Sequence, residues 1–348
     1  MKPSDARALR RRVRSGLALV LVATLTACGG AISPDAEEAA GETLRNCDVD
    51  VPADAPPERV FAAYQPAIEM AHALGIGDRL VGTAFLDAVV LDDYVEAQAE
   101  QKYYPNLPSR EELLDARPDF VLSGFTDVFT DESLGTRASL RELGVESWIF
   151  SPLCPSEDGR SDESIDPADV TMDNVYADLR DLGTLFDVSE RADEVIAEMR
   201  ATVDGVTETL EGRVDEDERP TVMIGRPGDQ GFHVAGGPDF STELIDLAGG
   251  VNAFADLDGR RNHQVSVEDV IERDPDHILI DVCCDAEMTA ADSAPDIERI
   301  MGNPALANLT AVTEDQVWEF TFADRSAGVR SAPAVATIAE ILHPDLFG

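Results

Sequence analysis

Ser109-Arg-Glu-Glu-Leu-Leu-Asp-Ala-Arg-Pro-Asp-Phe-Val-Leu122 recurs, in altered form, as Ser266-Val-Glu-Asp-Val-Ile-Glu-Arg-Asp-Pro-Asp-His-Ile-Leu279. Of the 14 aligned positions, five are identical and five more are conservative replacements. The copies lie 157 residues apart, far beyond the unit of a solenoid, so the repeat predicts two copies of a domain. In each copy a capping serine precedes acidic residues, then Pro-Asp, then an apolar run. Each copy therefore predicts a short helix that leads into a buried strand.

The rest of the chain alternates apolar runs with helical patterns around these two copies. We expect strands at 59–64, 80–85, 119–123 and 145–150 in the first lobe, and at 221–225, 277–282 and 316–320 in the second. This alternation favours mostly parallel sheets. A helix from Ser189 to about Arg213, spanning about 37 Å, is expected between the copies. The sequence thus predicts an α/β protein of two lobes with a ligand cleft between them.

Residues 1–27 have the composition of an export signal. Lys2 and five arginines precede an apolar stretch from Leu17 to Ala27, which is too short to remain as a membrane span. The stretch ends in Leu-Thr-Ala-Cys28-Gly, which resembles the bacterial lipobox, whose cysteine receives a diacylglycerol and becomes the mature N-terminus. Cys28 is therefore the predicted lipidation site, and two acyl chains suffice for stable anchoring. An ordinary secretory signal is the alternative, and the export route, general or twin-arginine, stays open.

The charge of the chain excludes several classes of partner. The formal net charge is −42, and removal of residues 1–27 leaves 21 basic and 68 acidic residues, or −47. Such a field opposes binding to nucleic acid and to anionic lipid surfaces. The hydrophobic content of 44% is ample for two packed domains.

Residues 29–45 are small, acidic and poor in apolar side chains, which is typical of a tether. No later apolar stretch approaches the length of a membrane span, so we expect the folded part to lie outside the membrane. The predicted division of the chain is a signal peptide (1–27), a lipid-anchored acidic tether (28–46), an N-terminal lobe (47–170), a helical connector (171–215) and a C-terminal lobe (216–348).

Motifs for common enzyme chemistry are missing from the sequence. Neither lysine follows a glycine, as Walker-type phosphate binding requires, and no Gly-x-Ser-x-Gly elbow occurs. Gly75-Ile-Gly77 follows a predicted helix and lacks the third glycine of a dinucleotide fingerprint. The five histidines lack the spacing of a zinc site. We therefore expect no catalytic residues and no resident metal or cofactor; a secreted α/β enzyme is the remote alternative, which turnover of a metabolite would support.

With the repeat, the lipobox and the long connector, the mature chain resembles a substrate-binding lipoprotein of an ABC importer. The resemblance is to the family that captures ferric siderophores, cobalamin and related metal chelates. The motifs that carry it, in order, are Ala55-Pro-Pro-Glu-Arg-Val60, Leu74-Gly-Ile-Gly-Asp-Arg-Leu-Val-Gly82, Ala248-Gly-Gly-Val-Asn-Ala-Phe-Ala255 and Asn303-Pro-Ala-Leu306. The resemblance implies two Rossmann-like lobes joined by a single long helix, ABC permease and ATPase subunits as partners, and a monomer on the outer face of the cytoplasmic membrane.

Candidate ligand-binding residues follow the predicted strands at their carboxyl ends, where open α/β sheets bind ligands. They are Tyr64, Phe85, Tyr103, Tyr104, Phe125 and Phe129 in the first lobe, and Arg226, Phe232, His233, Phe322, Arg325 and Arg330 in the second. Aromatic walls suit a large flat or apolar chelate, and arginines suit an anionic one. A ferric siderophore is the first expectation, followed by cobalamin or another corrinoid, and haem. Val81–Phe85 and Gly328–Arg330 also resemble segments of actinobacterial relatives proposed to carry a deazaflavin cofactor precursor.

Two further expectations concern the surface and the cysteines. The resemblance implies that one surface glutamate on each lobe meets arginines of the permease, and Glu111 and Glu268 occupy that place in the repeat. Four cysteines beyond Cys28 allow three pairings in an oxidising compartment. We expect a Cys47–Cys154 disulfide that ties the first strand of lobe one to the loop closing that lobe. The adjacent Cys283 and Cys284 form either a vicinal disulfide or two free thiols near the cleft.

Overall fold

The computed structural model describes residues 43–155 and 165–347. The predicted export signal, the lipidation site Cys28 and most of the predicted tether lie outside the described residues. None of the helices in the described ranges is both long enough and apolar enough to cross a membrane.

Lobe one is built around a five-stranded parallel sheet in the order β5-β4-β3-β6-β7. Its strands and helices are β1 (Thr43–Asn46), β2 (Val49–Pro52), β3 (Val60–Ala63), α1 (Gln65–Ala73), β4 (Leu80–Ala84), α2 (Val95–Ala99), β5 (Tyr103–Tyr104), α3 (Arg110–Asp115), β6 (Phe120–Ser123), α4 (Arg137–Arg141) and β7 (Glu146–Ile149). The central strand β3 is buried along its whole length, which explains its continuous apolar sequence.

A two-stranded hairpin of β1 and β2 precedes this sheet and was not predicted from the sequence. Its turn residues, Cys47 and Asp48, both have positive φ, as a two-residue hairpin turn requires. Cys47 is disulfide-bonded to Cys154, with their Cα atoms 5.2 Å apart, so the predicted pair is present in the structure. The bond attaches the hairpin to the segment that follows β7 (Glu146–Ile149).

Two helices, α5 (Met172–Leu185) and α6 (Ser189–Leu210), follow lobe one. The side chains of α6 predicted to form its apolar stripe are all buried: Ala192, Val195, Ile196, Met199, Val203, Val206 and Leu210. Ser189 is the first residue of this helix, whereas Val188 occupies the N-cap position and provides no side-chain cap. At 22 residues, α6 is about 33 Å long, slightly shorter than the sequence predicts.

Lobe two contains a six-stranded sheet in the order β11-β9-β8-β12-β13, with β10 paired to β8. Its elements are β8 (Thr221–Gly228), β9 (Gly231–Ala235), α7 (Phe240–Leu247), β10 (Val251–Asn252), β11 (Asn262–Val265), α8 (Val267–Arg273), β12 (His277–Val282), α9 (Ala294–Met301), α10 (Thr310–Thr313), β13 (Val317–Thr321), α11 (Ser331–Leu342) and α12 (Pro344–Phe347). Pairing is parallel except for β8 with β9 and β9 with β11, so the sheet is mixed.

The repeated sequence gives the same local structure in both lobes. Ser109 and Ser266 each cap their helix through a reciprocal capping box, with Glu112 and Asp269 as the respective partners. In each copy the strand that follows, β6 or β12, pairs in parallel with the central strand of its sheet, β3 or β8. The repeat therefore marks equivalent places in the two lobes.

Candidate functional site

A cavity of about 350 Å³ lies between the lobes, within the size range of small-ligand sites. It opens at the carboxyl ends of the central strands. The described residues that line it are Tyr64, Phe85, Asp87, Phe125 and Asp127 of lobe one, and Arg226, His233, Arg261, Asn262, Cys283, Cys284, Phe322 and Arg325 of lobe two.

Three aromatic rings form the lobe-one wall of the cavity. Tyr64 makes edge-to-face contacts with Phe85 and Phe125, with ring centroids 5.2 and 4.9 Å apart. The hydroxyl of Tyr64 donates a 2.7 Å hydrogen bond to Asp127, which fixes the orientation of the ring. Edge-to-face packing of this kind holds the rings in place while leaving apolar faces for a ligand.

Tyr64 and Phe85 each have positive φ, 70° and 61° respectively, directly after β3 and β4. Bulky side chains rarely adopt this conformation, and it is tolerated where the surrounding fold imposes it, most often at functional sites. In both residues the turn aims a large ring at the cleft instead of continuing the strand.

The lobe-two wall contains a buried arginine held by two buried carboxylates. Arg325, with 2% of its side chain exposed, contacts Asp281 at 2.5 Å and Asp239 at 2.8 Å. Burial alone would raise the pKa of Asp239, but the attraction of Arg325 and Arg261 outweighs it and lowers that pKa to about 2. The same carboxylates raise the pKa of Arg325 despite its burial. Arg325 is therefore a fixed positive charge whose direct partners are already protein groups.

Arg226 is the more accessible cation of the cavity, with 32% of its side chain exposed. It contacts Asp281 at 3.2 Å and lies 5.9 Å from the ring centroid of Phe322. Arg261, nearly fully buried, contacts Asp239 and lies over the ring of Phe125 at 5.1 Å, across the lobe boundary. The cavity thus combines aromatic walls with guanidinium groups that contact two buried aspartates.

The carboxyl group of Asp87 differs from those of Asp239 and Asp281, which contact arginines directly. It is buried and lines the cavity, and burial raises its pKa to about 7 although the nearby arginines oppose the rise. Its Oδ2 atom has no hydrogen-bond partner in the described part of the chain. An unpaired buried oxygen is costly, so this group is suited to an external partner.

Seven of the candidates from the sequence line this cavity: Tyr64, Phe85, Phe125, Arg226, His233, Phe322 and Arg325. Four do not. The hydroxyl of Tyr103 accepts a hydrogen bond from the Leu86 amide, and Tyr104 packs on Phe61, because both tyrosines belong to the edge strand β5. Phe232 is in the core of lobe two, because it lies on strand β9 and not on a loop.

Arg330 also lies outside the cavity lining and has a different role. It contacts Glu69 of α1 at 2.5 Å, Asp324 at 3.0 Å and the carbonyl oxygen of Val89 at 2.7 Å. Glu69 and Val89 belong to lobe one, so Arg330 links the lobes behind the cavity instead of facing it. Phe129, also expected there, is in the hydrophobic core.

Several cavity residues were not among the sequence candidates, namely Asp87, Asp127, Arg261 and Asn262. Asn262 begins strand β11, whose polar sequence Asn-His-Gln-Val gives no strand signal. Asp87 follows β4 in a loop and could have been found by extending the carboxyl-end rule beyond Phe85. The adjacent Cys283 and Cys284, expected near the cleft, line it as a vicinal disulfide. Glu111 and Glu268 are exposed at the second positions of α3 and α8.

Comparison with known proteins gives a consistent family assignment. The sequence model of the periplasmic binding protein family matches residues 60–322. The uncharacterised ABC transporter substrate-binding lipoprotein YvrC of Bacillus subtilis (strain 168) is 22% identical, over 97% of this chain and 99% of its own.

Two solved structures share the fold. A periplasmic binding protein from Veillonella parvula is similar with a TM-score of 0.73 at 23% identity, over 87% of this chain and 97% of its own. A protein of an ABC-type Fe³⁺-hydroxamate transport system from Saccharomonospora viridis has a TM-score of 0.67 at 24% identity, over 87% of this chain and 99% of its own. With two α/β lobes around a cleft and a family match over most of its length, the chain belongs to the periplasmic binding proteins that serve ABC transporters.

Proposed function

We propose that this protein captures a metal chelate, in the first place a ferric siderophore, between its lobes and delivers it to an ABC importer. The observation that carries the proposal is the cavity itself, which is walled by aromatic rings from both lobes and contains the partly exposed guanidinium of Arg226. Aromatic surfaces accommodate a large apolar ligand, and a guanidinium binds its anionic oxygens.

The charge arrangement favours an anionic chelate over a neutral one. The chain as a whole is strongly acidic, but salt screens that field beyond about 10 Å. Inside the cavity, three arginines contribute to the lining, and the 32% exposed side chain of Arg226 can donate hydrogen bonds to an anionic ligand. The similar Saccharomonospora protein comes from a Fe³⁺-hydroxamate transport system, which agrees with this class of ligand.

Cobalamin or another corrinoid, haem and a deazaflavin cofactor precursor are the alternative ligands of the same cavity. A neutral corrinoid would depend on the aromatic rings and little on Arg226, whereas an anionic chelate would depend on both. Loss of affinity on removing Arg226 therefore distinguishes an anionic ligand from a neutral one.

The proposed cellular setting is the outer face of the cytoplasmic membrane, with anchoring through lipid on Cys28 and delivery by a monomer to permease and ATPase subunits. The lipobox-like sequence at Cys28 supports the anchor, as does the description of the Bacillus relative as a lipoprotein. Globomycin treatment of producing cells, followed by mass measurement of the N-terminal peptide, tests the lipid attachment.

The ligand is tested by native mass spectrometry of the purified protein, followed by calorimetry with hydroxamate and catecholate ferric siderophores, haem and cobalamin. We expect a ferric siderophore to bind, and Arg226→Ala to weaken an anionic one by about 10- to 150-fold, since a charge-assisted bond contributes about 1.5–3 kcal/mol. Arg299→Ala, which removes an exposed arginine that is not among the lining residues, is the matched control. Exclusive binding of a neutral corrinoid, or unchanged affinity in Arg226→Ala, would contradict the siderophore proposal.

A further inference from the structure

The adjacent cysteines at the end of β12 occupy an unusual place in the cleft. Cys283 and Cys284 are disulfide-bonded to each other and both line the cavity. The amide of Cys284 donates a 2.9 Å hydrogen bond to the carbonyl oxygen of Asp87 in lobe one. The sulfur pair therefore lies where the two lobes meet, beside the ligand space, and Cys284 is exposed to solvent.

The side chain of Asp87 is a second, independent feature of the same part of the cavity. Its side chain is 3% exposed, lines the cavity, and has an Oδ2 atom without a hydrogen-bond partner among the described residues. One potential ligand atom from each of Asp87, Cys283 and Cys284 lies within 4.8 Å of the other two. A buried oxygen that lacks a protein partner and lies beside two sulfur atoms is arranged to share a partner with them.

The chemistry of these three groups decides which ion they can hold. Two sulfur atoms and one carboxyl oxygen form the donor set, and Arg226, Arg261 and Arg325 line the same cavity. Two thiolates and one carboxylate would supply three negative charges, more than enough to hold a divalent ion among the guanidinium groups. Sulfur-rich sets of this kind select thiophilic ions, such as zinc or cadmium, over hard ions.

We propose that reduction of the Cys283–Cys284 disulfide opens a site for a thiophilic divalent ion, formed by both cysteines and Asp87. In the reduction, a dithiol supplies two electrons and two protons, the S–S bond breaks to give two thiols, and the dithiol becomes its own disulfide. Binding of the ion then releases the two thiol protons. In the oxidised protein the sulfur atoms are bonded to each other and form part of the wall. The proposal does not depend on the identity of the transported ligand.

The test is a cadmium titration of the purified protein, oxidised and after anaerobic reduction with a phosphine that is then removed. Thiols are counted before the titration, and thiolate-to-cadmium charge transfer is followed in the ultraviolet. We expect the reduced protein to bind one tight Cd²⁺ with a charge-transfer band, and the oxidised protein to show none. Asp87→Asn should retain the band with affinity reduced at least about tenfold, since even outer-shell changes cost metal sites that much.

The Cys283→Ser/Cys284→Ser variant is the matched control, because it retains Cys47 and Cys154 and so reports any binding by that pair. It should show no tight site after reduction; the single variant Cys283→Ser serves if the double variant does not fold. Equal cadmium binding by wild type and this control, the absence of a charge-transfer band in the reduced wild type, or a Cys283–Cys284 bond that stays closed in the reduced folded protein would each overturn the proposal.

Discussion

Single residues in the cleft show how burial and charge set the properties of a binding site. Asp239 and Asp87 are both buried carboxyls, yet the pKa of one is lowered to about 2 and that of the other is raised to about 7. The difference arises because Asp239 contacts Arg325 and Arg261 directly, whereas Asp87 feels the arginines only from a distance and is dominated by desolvation. The first is thus a permanent anion, and the second can be neutral near physiological pH.

Asp87→Asn should reduce the dependence of stability on pH. The folded-state pKa of Asp87, about 7, exceeds the ordinary value of about 3.9, so the folded protein binds more protons between those values. The contribution of this group to stability is complete below about pH 4 and is lost as pH rises toward 7. In urea unfolding at pH 5, 6, 7 and 8, the variant should lose less stability between pH 5 and 7 than wild type. Asp178, whose pKa burial also raises to about 7, should leave part of the slope in place.

The matched control for this measurement is Asp204→Asn, which replaces an exposed carboxylate on α6. It should reproduce the wild-type slope. Identical slopes in Asp87→Asn and wild type would show that Asp87 is ionised throughout this range.

Among the helices and strands, the sequence predicted those that the residue pattern of a single segment specifies. The capping serines of the repeat, the buried runs of β3, β6, β8 and β12, and the apolar stripe of α6 all follow from spacing and burial along a single segment. The helix α4 is confined to Arg137–Arg141, because Gly135 has a φ of 109° and Thr136 caps the helix directly after it.

Elements with polar, alternating or very short sequences were missed for a physical reason. The hairpin of β1 and β2 lies outside the main sheets and β11 lies at a sheet edge, where few residues need to be apolar, and β9 has only five residues. Contacts between distant segments could not be predicted either. Arg330 and Glu69 are 261 residues apart, and the sequence around one gives no indication of the other. The aromatic rings and the cations Arg226 and Arg325 could therefore be predicted, whereas Arg261 and the buried carboxylates that pair with these arginines could not.

The contact between α1 and the start of α11 should be a main stabilising link between the lobes. Glu69 is almost fully buried and accepts hydrogen bonds from Arg330, from the Gln65 side chain and from the Leu91 amide. Arg330→Ala would leave that carboxylate buried without its cation, which typically costs about 3–5 kcal/mol. We expect a loss of that size in the free energy of unfolding, measured with urea.

Arg45→Ala is the control for the Arg330 prediction, because Arg45 pairs with Asp48 and Asp50 at an exposed position where such pairs contribute little to stability. Glu69→Gln combined with Arg330→Ala should cost less than the sum of the single changes, since it removes both charges. A loss below about 1 kcal/mol for Arg330→Ala alone would contradict a buried link between the lobes.

The whole molecule has an internal pseudo-symmetry that extends to its surface. The two capped helices α3 and α8 precede equivalent strands, and each presents an exposed glutamate at its second position, Glu111 and Glu268. Neither glutamate takes part in a capping box, because Glu112 and Asp269 perform that function. These two positions are therefore free to contact a partner that itself has two equivalent halves, as the permease of an importer would.

Glu111→Arg combined with Glu268→Arg should leave ligand affinity intact and abolish uptake by the importer. Both residues are remote from the cavity lining, and each reversal should cost only about 0.3–1 kcal/mol through the helix dipole. Charge reversal on both lobes would repel permease arginines at two places, while either single reversal should reduce uptake partially. Affinity is measured by calorimetry, and uptake with labelled chelate in cells. Glu142→Arg combined with Glu298→Arg changes net charge equally at exposed positions on other helix segments and should transport normally. Normal uptake by the Glu111 and Glu268 double variant would mean that docking relies on other surfaces.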